Sequence, residues 1–175
     1  MTRPIDIRPL ADGATSGDTP ARSWSVGDLF LVPQSDGGHT VAQILAHELA
    51  AMNSAICAFT LRRAQPGEAV GPIEPSEIIA VQYVTIELLD SGEWPVAGTR
   101  PPVVAETELE LADKRANHFA GTKICGSGVI TSLLNACFGL EPWDDWNDPE
   151  QLDKLLTDPR HKPALVVYKD EGPVN

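Results

Sequence analysis

The sequence predicts an α+β fold that is mostly β, either an antiparallel sheet or a small SH3-like barrel with two short C-terminal helices packed on it. Two patterns predict this class. Over residues 24–104, apolar and β-branched runs alternate with clusters of Gly, Pro and Asp, which is typical of short strands joined by turns. Residues 130–138 then carry an apolar stripe of helical period, which predicts a helix late in the chain. Helices packed on one sheet satisfy both patterns.

Composition predicts one soluble, cytoplasmic domain. A chain of 175 residues is long enough to bury roughly 70% of its unfolded surface in one core. Residues 1–22 lack apolar periodicity, so we expect a flexible N-terminal tail before a single domain at residues 23–175. The three cysteines are spaced by 68 and 12 residues, which fits reduced thiols better than a disulfide framework. Neither a signal segment nor an apolar run of membrane-spanning length is apparent.

The net charge limits the partners that we expect. Thirteen basic and 25 acidic side chains give a formal charge of −12. An acidic surface without a Lys/Arg stripe repels phosphate, so the sequence predicts no nucleic-acid binding. A basic protein partner is compatible with this charge.

The first half of the predicted sheet follows from three apolar runs. Residues 27–33 and 40–46 predict a hairpin, because a turn-rich segment separates them. A third strand is expected at residues 53–61, and residues 47–52 could form one helical turn before it. The Pro- and Gly-rich residues 62–75 predict an irregular loop.

The second half of the sheet is less regular in pattern. The β-branched and aromatic density at residues 77–88 predicts a long central strand. The chain turns at residues 90–92, and residues 93–97 return as a strand that Pro95 restricts to an edge, because proline lacks an amide donor. Residues 106–117 are compatible with either an exposed strand or a short charged helix.

Two helices and a closing strand complete the prediction. Residues 129–138 form the amphipathic helix, and Gly139 stands where a left-handed residue ends a helix. A second short helix is expected at residues 149–156, because Asp148 can cap it, a proline follows at its first position and Gln151 stands three residues after the cap. Residues 164–168 read as a closing strand.

The stretch Glu141–Glu150, EPWDDWNDPE, is the main candidate site because it holds five carboxylates and two tryptophans without a basic residue. Helix initiation explains Asp148 and Glu150. The spacing does not match a calcium loop, whose sixth position needs glycine and whose twelfth needs glutamate. Two interpretations stay open: an acidic, aromatic surface that contacts a protein partner, or a solvated linker whose tryptophans cover the core.

Catalytic and metal chemistry have weaker support. Cys125 precedes a predicted helix, whose N-terminus would lower the pKa of the thiol, and His118 or His161 could act as its base. The alternative is that the neighbouring glycines only let the helix start close to the sheet. The four histidines lack a two-ligand spacing. We therefore predict no catalytic residues, no metal and no cofactor.

The sequence resembles the immunity protein 26 family, antidotes encoded beside toxins in bacterial polymorphic toxin systems. The resemblance spans about residues 24–168 and depends on the order of short motifs. In chain order these are Gly27–Pro33, Asp36-Gly37, Asp90–Trp94, Gly126–Gly128, Leu134–Ala136, Gly139–Trp143, Asp148-Pro149, Leu152, Leu155 and Leu156.

The resemblance implies a mostly β protein without catalytic activity that binds and neutralises a cognate toxin. An acidic patch would suit a toxin with a basic, nuclease-like cleft. The expected contact residues are Glu141, Trp143, Asp144, Asp145 and Trp146. The alternatives are a small non-catalytic interaction or ligand-binding module and a cysteine-dependent hydrolase.

Overall fold

The computed structural model describes residues 21–169, which form one six-stranded sheet with short helices around it. The strands are β1 (Asp28–Pro33), β2 (His39–Glu48), β3 (Ser54–Arg63), β4 (Ile78–Thr85), β5 (Val96–Thr99) and β6 (Ile124–Cys125). The helices are α1 (Leu49–Met52), α2 (Glu87–Asp90), α3 (Leu111–Ala116) and α4 (Ser127–Cys137), and 3₁₀ turns lie at Pro75–Glu77 and Asp153–Leu155. The predicted α+β, mostly β class is confirmed. Apart from its last two residues, the predicted tail at residues 1–22 lies outside the described residues.

The strand order is β5-β1-β2-β3-β4-β6. Strands β1 to β4 form an antiparallel meander, and β5 pairs antiparallel with β1. Strand β6 is parallel to β4, so the sheet is mixed. This order leaves β5 and β6 at the two edges. Of the two expected forms, the protein therefore has the sheet and not the barrel. Pro95 directly precedes the edge strand β5, as its missing amide donor requires.

The predicted hairpin is present as β1 and β2. Its turn is closed by two hydrogen bonds, from Gln34 N–H to Gly38 O at 2.8 Å and from Gly37 N–H to Gln34 O at 3.0 Å. The helical turn expected before the third strand is α1. It ends at Asn53, whose φ of 46° is left-handed, a conformation that asparagine adopts more readily than most residues.

The sheet is covered on both faces, which explains why its strands are continuous apolar runs rather than alternating ones. On one face α4 and Trp143 cover β1 and β3, where the rings of Phe30 and Trp94 stack with centroids 5.3 Å apart. On the other face Leu109 and Leu111, from the region of α3, pack against Ile56 and Tyr83. Residues 106–117, whose pattern is compatible with a strand or a helix, therefore form turns followed by the helix α3.

Two predictions about the second half of the sheet are corrected. The long strand predicted at residues 77–88 stops at Thr85, because α2 turns the chain and buries Leu89 in the main core. The predicted closing strand at residues 164–168 does not join the sheet. It makes one isolated bridge, between Pro142 and Val167, and lies on the segment that follows α4.

The second predicted helix is a series of turns in which only Asp153–Leu155 forms a 3₁₀ turn. The carboxylate of Asp148 accepts a hydrogen bond from Glu150 N–H at 3.0 Å. This bond, two residues along the chain, closes a turn instead of capping an α-helix. The buried leucines of this segment still reach the main core, where Leu152 is fully buried.

Candidate functional site

The candidate site begins where α4 ends. Gly139 has a φ of +69°, the left-handed conformation that commonly follows a helix. Its N–H donates to Ala136 O, and Leu140 N–H donates to Asn135 O, each at 3.0 Å. The chain leaves α4 through this turn and enters the acidic stretch directly. The left-handed glycine predicted at this position is confirmed.

Trp143 lies beneath the acidic stretch and not on its surface. Its side chain is 0% exposed and belongs to the main core. Its indole N–H donates to Asp153 Oδ1 at 2.9 Å, so the polar atom of the ring is satisfied inside the protein. Trp143 thus lies where the core-covering interpretation of the sequence places it, while its expected contact with a partner stays a prediction. Trp146 is partly buried against the same core.

Glu141 joins three parts of the fold. It accepts a hydrogen bond from Asn135 Nδ2 at 2.6 Å, and Asn135 Oδ1 accepts one from Ser35 N–H at 3.1 Å. Asn135 is 3% exposed and lies on α4, while Ser35 lies in the hairpin turn. The orientation of the Glu141 carboxylate is therefore restricted by the fold.

Asp144 and Asp145 both contact Lys169, a residue far along the chain. Asp144 Oδ1 accepts the backbone N–H of Lys169 at 2.8 Å, and Asp145 Oδ1 accepts its Nζ at 2.5 Å. The side chains of Asp145 and Lys169 remain 52% and 62% exposed. The stretch contains no basic residue of its own, and Lys169, which lies 25 residues after Asp144 and 24 after Asp145, supplies the cation.

Asp148 has a separate ion pair at the far end of the stretch. Its carboxylate contacts the ammonium of Lys154. That hydrogen bond, together with the Glu150 N–H, lowers the pKa of Asp148. Asp148 therefore stabilises the local turn, as expected from its position before a proline.

An open groove of about 400 Å³ runs between α4 and the acidic stretch. Its walls are formed by Ser132, Glu141, Pro142, Asp145 and Trp146. Two carboxylates and one partly exposed indole ring therefore face a common space. Three of the expected contact residues, Glu141, Asp145 and Trp146, are brought together in it.

Residues 163–169, which we call the strap, run beside this groove. Val167 O accepts the backbone N–H of Trp143 at 2.8 Å, and Val166 packs against the main core. The carbonyl of Leu165 lies so close to Gly139 that a Cβ there would be 2.5 Å from its oxygen. The strap therefore packs tightly on the turn that ends α4.

The strap adds an apolar patch that sequence reasoning missed. The described residues include seven exposed large hydrophobic side chains, and four of them lie on the strap or next to Gly139. They are Leu140 (36% exposed), Leu165 (61%), Val167 (41%) and Tyr168 (38%). We call these four the apolar patch. The available signal in the sequence was Pro159 before the strap and Pro163 at its first position, because prolines interrupt regular strands.

The thiol alternative finds no support in the geometry. Burial raises the pKa of Cys125 to about 11, the opposite of the lowering that a helix N-terminus produces in reactive thiols. Its sulfur lies 3.7 Å from Gly126 O. His118 lies in the exposed segment after α3. The Cys125 thiol is therefore protonated near neutral pH. Burial raises the pKa of Cys137, on the core stripe of α4, to about 12.

Within residues 21–169, no group of three or more His, Cys, Asp or Glu side chains could hold a metal ion. No helix in the same residues is long and apolar enough to cross a membrane.

Comparisons of this chain with protein-family models, with curated proteins and with solved structures found no match.

Proposed function

We propose that this protein is an immunity-type binding protein that neutralises a cognate bacterial toxin by contacting it in the cytoplasm. The contact face consists of the acidic groove with Asp144 and the adjoining apolar patch. The observation that carries this proposal is the position of exposed apolar side chains directly beside oriented carboxylates. Trp143 supports this face from the core.

The composition of the face is that of a protein interface. Contiguous exposed apolar side chains on a domain of this size mark interaction sites more often than isolated ones do. Protein interfaces combine such a centre with a polar rim, and they are enriched in Trp and Tyr. Trp146 lines the groove and Tyr168 belongs to the apolar patch, so both ring types are present on the face.

The charge of the face defines the kind of partner. Glu141, Asp144 and Asp145 are three of the 25 acidic side chains of a chain with a formal charge of −12. A complementary partner presents a basic surface, such as the nucleic-acid-handling cleft of a nuclease-like toxin. An acidic protein that covers such a cleft repels nucleic acid and excludes it from the cleft. A membrane has no role in this proposal.

The resemblance to the immunity protein 26 family supports the same assignment. The matching motif Gly139–Trp143 forms the turn after α4 and one wall of the groove. Asp148-Pro149 closes the acidic stretch. The first of these motifs thus lies at the proposed contact face, and the second lies at the end of the acidic stretch.

The first experiment tests binding to the product of the adjacent reading frame. We expect the purified neighbour to be captured by this protein and its expression to be tolerated only when this protein is present. V167E should weaken capture at least about tenfold, because it places a charge in the apolar patch. V96E is the matched control, because Val96 has nearly the same exposure, 43% against 41% for Val167, but lies on β5. Absence of capture by the unaltered protein would refute the function, and equal capture by the two variants would refute the face.

The second experiment tests electrostatic steering. In the double variant D144K/D145K we expect association to slow by about tenfold at low salt, with a smaller difference at high salt, because exposed charges act through screened fields. The control E108K/E110K makes the same charge change near α3, next to Leu109 and Leu111, which pack on the other face of the sheet. Stopped-flow or surface-plasmon rates measure the effect. Equal rates in the two variants would remove the acidic groove from the contact.

A further inference from the structure

The acidic groove already binds one basic side chain, that of Lys169 at the end of the strap. Its ammonium lies 2.5 Å from Asp145 Oδ1, and its backbone N–H lies 2.8 Å from Asp144 Oδ1. The rest of the strap is held independently, through the Val167 carbonyl and the partly buried Val166, which packs against the main core. The lysine side chain can therefore leave Asp145 without detaching the strap.

The ion pair between Lys169 and Asp145 is weak enough to be replaced. Both side chains are more than half exposed, 62% and 52%. Exposed pairs of this kind contribute little to stability, because water and salt screen them and the long side chains lose freedom. A bound partner would exclude water from Asp145, so a cation of the partner would interact with this carboxylate more strongly than the exposed Lys169 does.

The groove beside this pair suits an extended cation. Asp145 and Glu141 lie on its walls together with the ring of Trp146. A guanidinium group can bond carboxylates through several N–H groups and pack on an aromatic face, whereas an ammonium group acts as a point charge. The volume of about 400 Å³ is ample for one arginine side chain.

We propose that Lys169 is an internal stand-in for an arginine or lysine of the partner protein, which displaces it from Asp145 and enters the groove. This inference rests on the proposed function and specifies the partner's chemistry at that site. The partner's neighbouring apolar residues then contact Val167 and Tyr168, which adjoin Lys169 in the strap. The contact face is thus a basic-residue site next to an apolar one.

The test uses an acetylated and amidated hexa-arginine peptide as the probe, with binding measured by titration calorimetry at low salt. We expect K169Q to bind the peptide about two- to fivefold more tightly than K123Q, because it removes the competing ion pair. K123Q is the matched control, since Lys123 is an exposed lysine before β6 and the two variants have the same net charge. D145N should weaken binding, and K169Q/D145N should bind no more tightly than D145N alone.

The outcomes separate this inference from the proposed function. Equal or weaker peptide binding by K169Q relative to K123Q would overturn the stand-in role, and so would a gain in affinity that persists in K169Q/D145N. Capture of the neighbouring protein, compared in V167E and V96E, leaves Lys169 unchanged. If K169Q binds the peptide no more tightly than K123Q but the neighbouring protein is still captured, only the stand-in role is refuted. If K169Q binds the peptide more tightly but the neighbouring protein is not captured, only the proposed function is refuted.

Discussion

At the scale of single residues, Glu87 fixes the start of α4. Its carboxylate accepts hydrogen bonds from Ser127 Oγ and from Thr85 Oγ1, the latter at 2.7 Å. Thr85 Oγ1 in turn accepts the backbone N–H of Ser127 at 3.0 Å. A negative charge beside the first residue of a helix is favourable, because unpaired N–H groups give that end a partial positive charge. Glu87 thus links α2, β4 and α4.

We expect E87Q to destabilise the protein by about 0.5–1 kcal/mol at pH 7, since Glu87 is exposed and solvent screens its charge. Burial raises the pKa of Glu87, but hydrogen bonds from Ser127 and Thr85 outweigh it and hold the pKa below its ordinary value of 4.5. A carboxylate with a lowered pKa stabilises the folded state above its unfolded-state pKa. That contribution is lost as the pH falls through the folded-state pKa. Urea unfolding between pH 7 and pH 3 measures the difference.

The control for this prediction is E110Q, which removes an exposed carboxylate near α3. It should change stability by no more than a few tenths of a kcal/mol at any of these pH values. The E87Q difference should shrink below pH 4.5, because protonation removes the same charge from the unaltered protein. A difference that stays constant down to pH 3 would contradict the role of the charge.

Residues whose roles depend on local chemistry were predictable from sequence. Helix α4 follows from its periodicity and Gly139 from helix termination, and the structure places both as expected. The role of Lys169 was not predictable, because its partners lie 24 and 25 residues earlier and no local pattern records such a pair. The burial of Trp143 agrees with the sequence interpretation in which the tryptophans cover the core.

At the scale of elements, the strap shows that a strand-like sequence does not by itself place a segment in the sheet. Ala164–Tyr168 has the apolar, β-branched composition of a strand, and that composition predicted a strand in the sheet. In the structure the edges of the sheet are β5 and β6, and the strap instead pairs at one point with Pro142. Helix α4 was predictable because its stripe has a unique period, whereas a short apolar run fits several positions.

The contact between the strap and the turn after α4 predicts a large effect of G139A. Gly92 and Gly139 both have positive φ, +78° and +69°. Alanine in this conformation costs about 1–2 kcal/mol, and that is the loss we expect for G92A, whose Cβ would meet no atom within 4 Å. G139A should cost about 3 kcal/mol or more, because its Cβ would lie 2.5 Å from Leu165 O and the backbone must shift.

Urea unfolding of the two glycine variants measures this difference. G92A is the matched control, since it carries the same conformational penalty without the contact. G139A should also lower affinity for the captured partner, because displacement of the strap moves Leu165 and Val167. Equal losses of stability in the two variants would show that the strap does not pack on Gly139 in solution.

At the scale of the whole molecule, distant segments share one core. The main cluster contains Trp24 near the start of the described residues and Leu156 near their end. Strand β5 crosses from β4 to pair with β1 at the opposite side of the sheet. This order was not predictable from the turn at residues 90–92, which suggested simple return beside the preceding strand. Because these segments share one core, unfolding of one of them should expose the core side chains of the others to water.

The four tryptophans allow this coupling to be measured as one unfolding transition. Trp24 bonds to Asp90 at 2.7 Å and Trp94 stacks on Phe30, so this pair reports the first half of the chain. Trp143 and Trp146 report the second half. We expect the variants W143F/W146F and W24F/W94F each to show the same urea midpoint by fluorescence and by far-UV circular dichroism, as one cooperative domain requires.

The comparison is made within each variant, so a general loss of stability from the Trp substitutions does not affect it. The hypothesis of a single domain at residues 23–175 requires the two signals to coincide in both variants. If W24F/W94F lost tryptophan fluorescence at a lower urea concentration than its circular dichroism signal, the acidic stretch and its surroundings would unfold separately from the sheet. The proposed contact face would then be a mobile appendage, and its oriented carboxylates would not be preorganised for the partner.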